Sequence, residues 1–479
     1  MSTIPTTRRD WLSHAVFGLG TIAVADLLRR DGLLQGADAK SKTGLHHPAK
    51  AQQVIHIFLG GGLSQVDTFD YKPALEKYHG QEIPEAFGQI DAFFGKVGKL
   101  HKSHYAFQQR GQSGLWLSDL FPSLNEVADE LTVIRSMVAE SANHIPATFQ
   151  ANTGFRQMGF PTLGSWLSYG LGSENDSLPS FVVLPDARGI PNSAGGSFNW
   201  NNGFLPAQHQ GVVLRTQGET PILDLAPPPG VDAAAQSAQL ELLAQLNEIH
   251  LAERSQTDPL AARIRSYELA ARMQQEIPEV MNFASETEAT QQLYGLDREE
   301  CRDVGRNCLA ARRLIESGVR MVQIWTGDGV SWDAHDDITG GGYKTHTGEA
   351  RRVDRPIGGL IQDLKQRGLL DSTLVLITTE FGRTPYAQAD QGKLSKGRDH
   401  HPQGFSNLLI GAGLKRGFAY GETDELGYAS VVNPVTTYDF HATILHLLGI
   451  DHKQLTYYHN GIARRLTNVH GEVVQGVLS

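Results

Sequence analysis

Three apolar runs in this sequence each end in residues able to do chemistry. Val54 to Leu59 opens into Gly60-Gly61-Gly62-Leu63-Ser64-Gln65-Val66-Asp67, and Val319 to Trp325 leads through Asp328 to Trp332-Asp333-Ala334-His335. Leu374 to Ile377 ends in Thr378-Thr379-Glu380-Phe381-Gly382-Arg383, and a loop further on carries Arg398-Asp399-His400-His401-Pro402. Carboxylates and imidazoles are the ligands that Zn²⁺ or Mn²⁺ takes, and a planar guanidinium matches a phosphate or sulfate oxygen pair. That combination points to metal-assisted cleavage of an ester rather than to packing.

The elements that must position these residues are strands. Each apolar run alternates little, as expected of a strand buried on both faces of a parallel sheet. In open α/β sheets the ligand crevice lies beyond the carboxyl ends of the strands, so three such ends can build one site from distant segments. Leu131 to Ile134 and Phe181 to Leu184 read as further strands, and Asp186 to Gly230, rich in Gly, Asn and Pro, as long loops. From Asp232 to Glu316 the period turns helical, with Leu240, Leu243, Leu246 and Ile249 as a stripe and Asp258-Pro259 as a helix start. Tyr438 to Leu448 reads as a helix stopped by Gly449.

The stretches at 61 to 73 (Gly-Gly-Leu-Ser-Gln-Val-Asp-Thr-Phe-Asp-Tyr-Lys-Pro), 332 to 335 (Trp-Asp-Ala-His), 379 to 385 (Thr-Glu-Phe-Gly-Arg-Thr-Pro) and 397 to 402 (Gly-Arg-Asp-His-His-Pro) resemble the domain of unknown function 1501 family. Its members look like relatives of sulfatases and alkaline phosphatases. The resemblance implies an α/β fold: an alkaline-phosphatase-like α/β/α sandwich with a mostly parallel central sheet, spanning 40 to 479 with a helical insertion at about 232 to 316. Sulfatases share a nucleophilic Cys or Ser, a Pro two positions on, and Thr-Gly at nine and ten positions on. His144, Pro146, Thr153 and Gly154 match that spacing, so His144 stands where the nucleophile would be. Formylglycine chemistry is then closed to it, and His144 becomes either a metal ligand or a covalent phosphoryl acceptor.

The full set of candidate ligands is Asp67, Asp333, His335, Glu380, His400 and His401, holding one or two divalent ions, Zn or Mn. Arg383 is the expected clamp on the anionic substrate, with Arg398 assisting. Asp70 competes with Asp67, and of His400 and His401 one faces inward and one outward, with nothing in the sequence to select between them. Ser64 lacks the Gly-x-Ser-x-Gly elbow, and Gly60-Gly61-Gly62 is no dinucleotide fingerprint.

Length and charge narrow the reading. At 479 residues the chain buries a large core, and its net charge of −10 with a pI near 6.0 offers no basic face for nucleic acid. Cys301 and Cys308 are the two cysteines, spaced for one helix and not for a disulfide. Arg8-Arg9 precede a short apolar run, Ala15 to Ala25, and Ala37-Asp38-Ala39 offers a cleavage site. Residues 1 to 39 therefore read as a twin-arginine export signal, too weakly apolar for a stable membrane span, which places the protein in the periplasm or outside the cell. The expectation is an exported hydrolase of phosphate or sulfate esters, with a polysaccharide or its fragments as one substrate form. Its rival is a catalytically silent relative that binds an anionic glycan or a partner protein in the same crevice.

Overall fold

The structure, a computed structural model, describes residues 43–479 except 89, 91, 94–95, 219–220, 222–232, 254–257 and 391–392. The twin-arginine segment and its cleavage site lie outside the described residues.

The apolar runs form the middle of one sheet. Its principal strands are β1 (Gln53–Phe58), β2 (Leu131–Val138), β3 (Phe181–Leu184), β4 (Met321–Trp325) and β5 (Thr373–Thr378). A hairpin of β6 (Gly382–Asp390) and β7 (Lys393–His401) follows, and then β8 (Phe405–Gly411). Across the sheet the order is Phe418–Tyr420, β2, β8, β5, β1, β4, β3, Val212–Val213, with Val435–Thr436 also paired to β2. β1 runs parallel to β4 and β5, pairing Val54 with both Met321 and Leu374, and β3 runs parallel to β4. β8 is antiparallel to both its neighbours, β5 and β2, so β2 points the same way as β1. The sheet is mostly parallel, and the C-terminal ends of β1, β2, β4 and β5 meet at one edge.

Alternation along each strand divides the core into two layers. Ile55, Ile57, Val322, Ile324, Val375 and Ile377 share one hydrophobic cluster, whereas Val54, Phe58, Met321, Trp325, Leu374 and Leu376 share the other. Helices cover both faces. Among the helices, α1 is His144–Thr153, α2 Leu163–Leu171, α3 Ala233–Glu253, α4 Asp258–Val280, α5 Arg302–Glu316, α6 His346–Gln366 and α7 Thr437–Leu447. α5 and α6 bring Leu309, Leu314, Leu360 and Ile361 to the first layer, and α2 and α7 bring Trp166, Leu167, Ile444 and Leu445 to the second. α7 begins with a capping box between Thr436 and Asp439, and Gly449 at φ +77° follows its end.

Two expectations change shape. The stripe Leu240, Leu243, Leu246 and Ile249 lies on α3 but is exposed, because α4 supplies the contact with the body through Met273, Ile277 and Val280. The segment around 398 to 402 is not a loop: Arg398 to His401 finish β7, paired Arg383 to His400 and Gly382 to His401. Cys301 and Cys308 are free and buried, and burial pushes both thiols up. Among the described residues no helix is long and apolar enough to cross a membrane.

Candidate metal centre

The loop after β1 turns on two glycines in the left-handed region, Gly61 at φ +119° and Gly62 at φ +80°. A side chain on Gly61 would meet the backbone nitrogen of Trp332 at 2.5 Å, so this turn lets the loop after β4 lie directly against it. The Gly61 N–H donates to both oxygens of Glu380, at 2.9 and 3.1 Å, and Thr379 Oγ1 donates to one of them at 3.2 Å. The remaining partner of Glu380 is His144 Nδ1, at 2.7 Å. Glu380 is wholly buried and its oxygens are occupied, so it orients His144 rather than facing the crevice.

His144 is the first residue of α1, which leaves the end of β2. Opposite it, His400 donates from Nδ1 to the carbonyl of Ala142 at 2.7 Å, since a carbonyl can only accept. In both rings the Nδ1 proton is thereby assigned, and each Nε2 turns toward Asp333. Oδ1 of Asp333 gathers Arg383 Nη2 at 2.7 Å, His335 Nε2 at 2.8 Å, His400 Nε2 at 3.0 Å and His144 Nε2 at 3.4 Å. His335 Nε2 and His400 Nε2 lie 3.0 Å apart. Phe381 and Phe93 wall the His400 ring, with centroids 4.7 and 5.8 Å away.

This donor set fits a cation. The ligand atoms of His144, Asp333 and His400 lie within 4.8 Å of one another. Donors at tetrahedral Zn²⁺ distances stand about 3.4 Å apart, close to the spacings around Asp333. His144 Nε2 is buried without a hydrogen-bond partner, the kind of orphan that a bound ion resolves. Burial alone would raise the Asp333 carboxyl, but His144, His335, His400 and Arg383 outweigh it and hold it far below the usual carboxylate range. Burial lowers His144, yet the Asp333 and Glu380 carboxylates prevail and raise it, whereas for His400 burial wins and lowers it to about 3.

Of the residues marked in the sequence, His144, Asp333, His335, Glu380, Arg383 and His400 come together, and three do not reach the centre. Asp67 is buried against Arg398, whose Nε donates to it at 2.6 Å, and it also accepts from Ser64 Oγ at 2.5 Å. Burial would raise Asp67, but Arg398 and then Ser64 hold it low, at about 2. Asp70, its rival in the sequence, bonds Thr423 and Lys72 instead. Arg398 is committed to Asp67 and to the carbonyls of His101, Lys102 and Thr384, so it braces the loop after β1 and faces no crevice. His401 projects from the other side of β7 and bonds the Tyr428 carbonyl, while burial lowers it to about 4. Arg383 does touch Asp333, but it is fully buried and its guanidinium also donates to the carbonyls of Gly61, Gly62, Trp332 and Arg398. It positions Asp333 and has no face left for a substrate.

Lys344, which carries no signal in the sequence, also reaches the centre, its Nζ lying 3.5 Å from Asp333 Oδ2. Nothing local marked it, since it precedes α6 in a glycine-rich stretch without an apolar run. A cavity of about 850 Å³ lies elsewhere: Ser168, Asp176, His209, Tyr267 and Met273 line it between α2 and α4, and it shares no residue with the centre.

The curated proteins include no match. Among solved structures, a protein in the alkaline phosphatase superfamily from Vibrio parahaemolyticus is similar at 13% identity, covering 93% of this chain and 78% of that one with a TM-score of 0.36. A phosphonate monoester hydrolase from Silicibacter pomeroyi is similar at 11% identity, covering 83% and 73% with a TM-score of 0.34. Alkaline phosphatase from the Antarctic bacterium TAB5 is similar at 10% identity, covering 83% and 98% with a TM-score of 0.31. The family described as "Protein of unknown function (DUF1501)" matches residues 51–478, and the chain belongs to it.

Proposed function

We propose that this protein is an exported hydrolase of phosphate or sulfate esters that works with one divalent metal ion, Zn or Mn. The observation that carries the reading is the gathering of His144, His335 and His400, from three distant segments, around a single oxygen of Asp333, with His144 Nε2 making no hydrogen bond. His144, Asp333 and His400 would hold the ion, with His335 as a fourth donor on the open side, where its side chain is 25% exposed. When bound, such an ion polarises an ester oxygen and lowers the pKa of water.

The chain's own residues do the rest. Glu380 holds the Nδ1 proton of His144 and the Ala142 carbonyl that of His400, so both rings keep their Nε2 lone pairs aimed at one point. Arg383 fixes Asp333 from beneath and offsets part of the negative charge. Phe93 and Phe381 on the His400 ring limit the approach of water. Only one cluster of this kind occurs among the described residues, and Asp67, the further carboxylate that a second ion would need, is neutralised by Arg398. These facts favour one ion over two.

Export is part of the proposal and rests on Arg8-Arg9 and the Ala37-Asp38-Ala39 site. The test of the activity is a panel of phosphomonoester, phosphodiester and sulfate-ester substrates, run on protein before and after chelation and after Zn²⁺ or Mn²⁺ is returned. Turnover that vanishes with chelation and returns with metal supports the reading. Metal-loaded protein that hydrolyses none of the three classes would sink it in favour of a silent glycan- or protein-binding relative.

A further inference from the structure

Both arginines that the sequence offers for gripping an anion are spent inside the protein, Arg383 on carbonyls and Asp333, Arg398 on Asp67. Lys344 is placed differently. Its side chain is 41% exposed, and its ammonium approaches Asp333 at Oδ2, the oxygen not used by the imidazoles and Arg383.

Its backbone is held in an unusual state. Lys344 sits at φ +59°, in the left-handed region where a lysine is disfavoured relative to glycine or asparagine. The next residue, Thr345, caps α6 by accepting from the Gly348 N–H at 3.1 Å and donates to the Gly342 carbonyl at 2.7 Å. On the other side Tyr343 donates to Asp328 Oδ1 at 2.7 Å, and the guanidinium of Arg188 lies 5.2 Å from its ring centre. Arg188 is itself fixed by two hydrogen bonds to Glu349, at 2.8 and 2.7 Å. The loop thus delivers one ammonium group to the mouth of the centre from a braced, strained turn.

Electrostatics says what belongs beside it. Asp333 already meets Arg383 and three imidazoles, so a divalent ion at its Oδ1 would leave Lys344 facing a centre of net positive charge. An anionic oxygen between the two relieves that repulsion and takes a charge-assisted hydrogen bond from the ammonium. We propose that Lys344 is the anion-recognition residue of the site, binding a non-bridging oxygen of a tetrahedral oxyanion ester, phosphate or sulfate, seated beside Asp333. This rests on the metal-centre reading above and assigns the substrate grip to Lys344 instead of Arg383.

The test is calorimetric titration of inorganic phosphate and, separately, inorganic sulfate into metal-loaded protein, with metal content measured on the same samples. Lys344→Met keeps the stem and removes the charge; Lys344→Asn also suits the left-handed backbone, so a loss there does not come from strain. Both variants should bind the anion about tenfold to a hundredfold more weakly at unchanged metal content, and Lys344→Arg should retain most of the affinity. Preference for phosphate or for sulfate identifies the ester class and supports the role either way. Native protein that holds no metal, together with weaker anion binding in both variants, would overturn the metal reading and leave Lys344 in place. Variants that bind both anions as tightly as the native protein, or a native protein that binds neither, would overturn the assignment.

Discussion

At the scale of single residues, the centre depends on which nitrogen of each imidazole carries a proton. Glu380 decides this for His144, so Glu380→Gln should weaken metal affinity about 10- to 100-fold while the fold survives, because an amide can still accept from Gly61 N–H but holds the imidazole less firmly. Competition with a metal indicator, checked against circular dichroism, reads both quantities; unchanged affinity would remove Glu380 from the site. Asp67 tests the opposite case. Its pairing with Arg398 is fully buried, and Asp67→Asn should cost about 3–5 kcal/mol in urea unfolding, by stranding the arginine, yet leave metal content intact. A variant of native stability would show that the pair carries no weight. His144, Asp333 and His335 were legible because each is a ligand type beside a strand end or at a family spacing, and His400 only as one of the pair it forms with His401. The separate roles of Glu380, Asp67 and the two arginines were not, since an acidic residue after a strand looks the same whether its partner is a cation, an imidazole or a guanidinium hundreds of residues away.

At the scale of elements, the buried strands β1 to β5 were readable because a continuous apolar run has few other uses in a large α/β chain, whereas β8 was not, its apolar run being only Leu408-Leu409-Ile410. The β6–β7 hairpin was not. Its strands are polar, contain Pro385, and take their register from each other and from Lys96–Leu100 rather than from a hydrophobic pattern. That hairpin nonetheless settles the His400-His401 ambiguity, because neighbouring residues on a strand face opposite ways. It also presses Gly397 against the carbonyl of His335, where no side chain has room. Gly397→Ala should therefore displace the His335 loop and lower metal affinity at least tenfold, although it alters no ligand. A metal titration equal to that of the native protein would mean that the hairpin does not set the centre's geometry. The exposed apolar stripe of α3 teaches a related point: helical period identifies a face, and only the surrounding elements decide what covers it.

At the scale of the whole molecule, the fold buries several histidines in their neutral form. Burial lowers His56 and His346 to about 3 and His441 to about 4, against an ordinary value of about 6.5 in the unfolded chain. Between those values the unfolded chain binds more protons, so their contribution to stability is whole above pH 6.5 and is lost as pH falls toward 3. Each group removes up to about 1.4 kcal/mol per pH unit within that window. Thermal unfolding from pH 8 to pH 4 should show a steep fall in midpoint below pH 6.5, made shallower by His56→Gln; a flat profile would contradict neutral burial. The account as a whole rests on one centre assembled at the edge of a mostly parallel sheet from segments that are far apart in sequence. Its most direct test is elemental analysis of the purified native chain beside His144→Ala and Asp333→Ala. The account predicts one Zn or Mn ion per native chain and little or none in either variant, whereas a metal-free native protein, or two ions per chain, would contradict it.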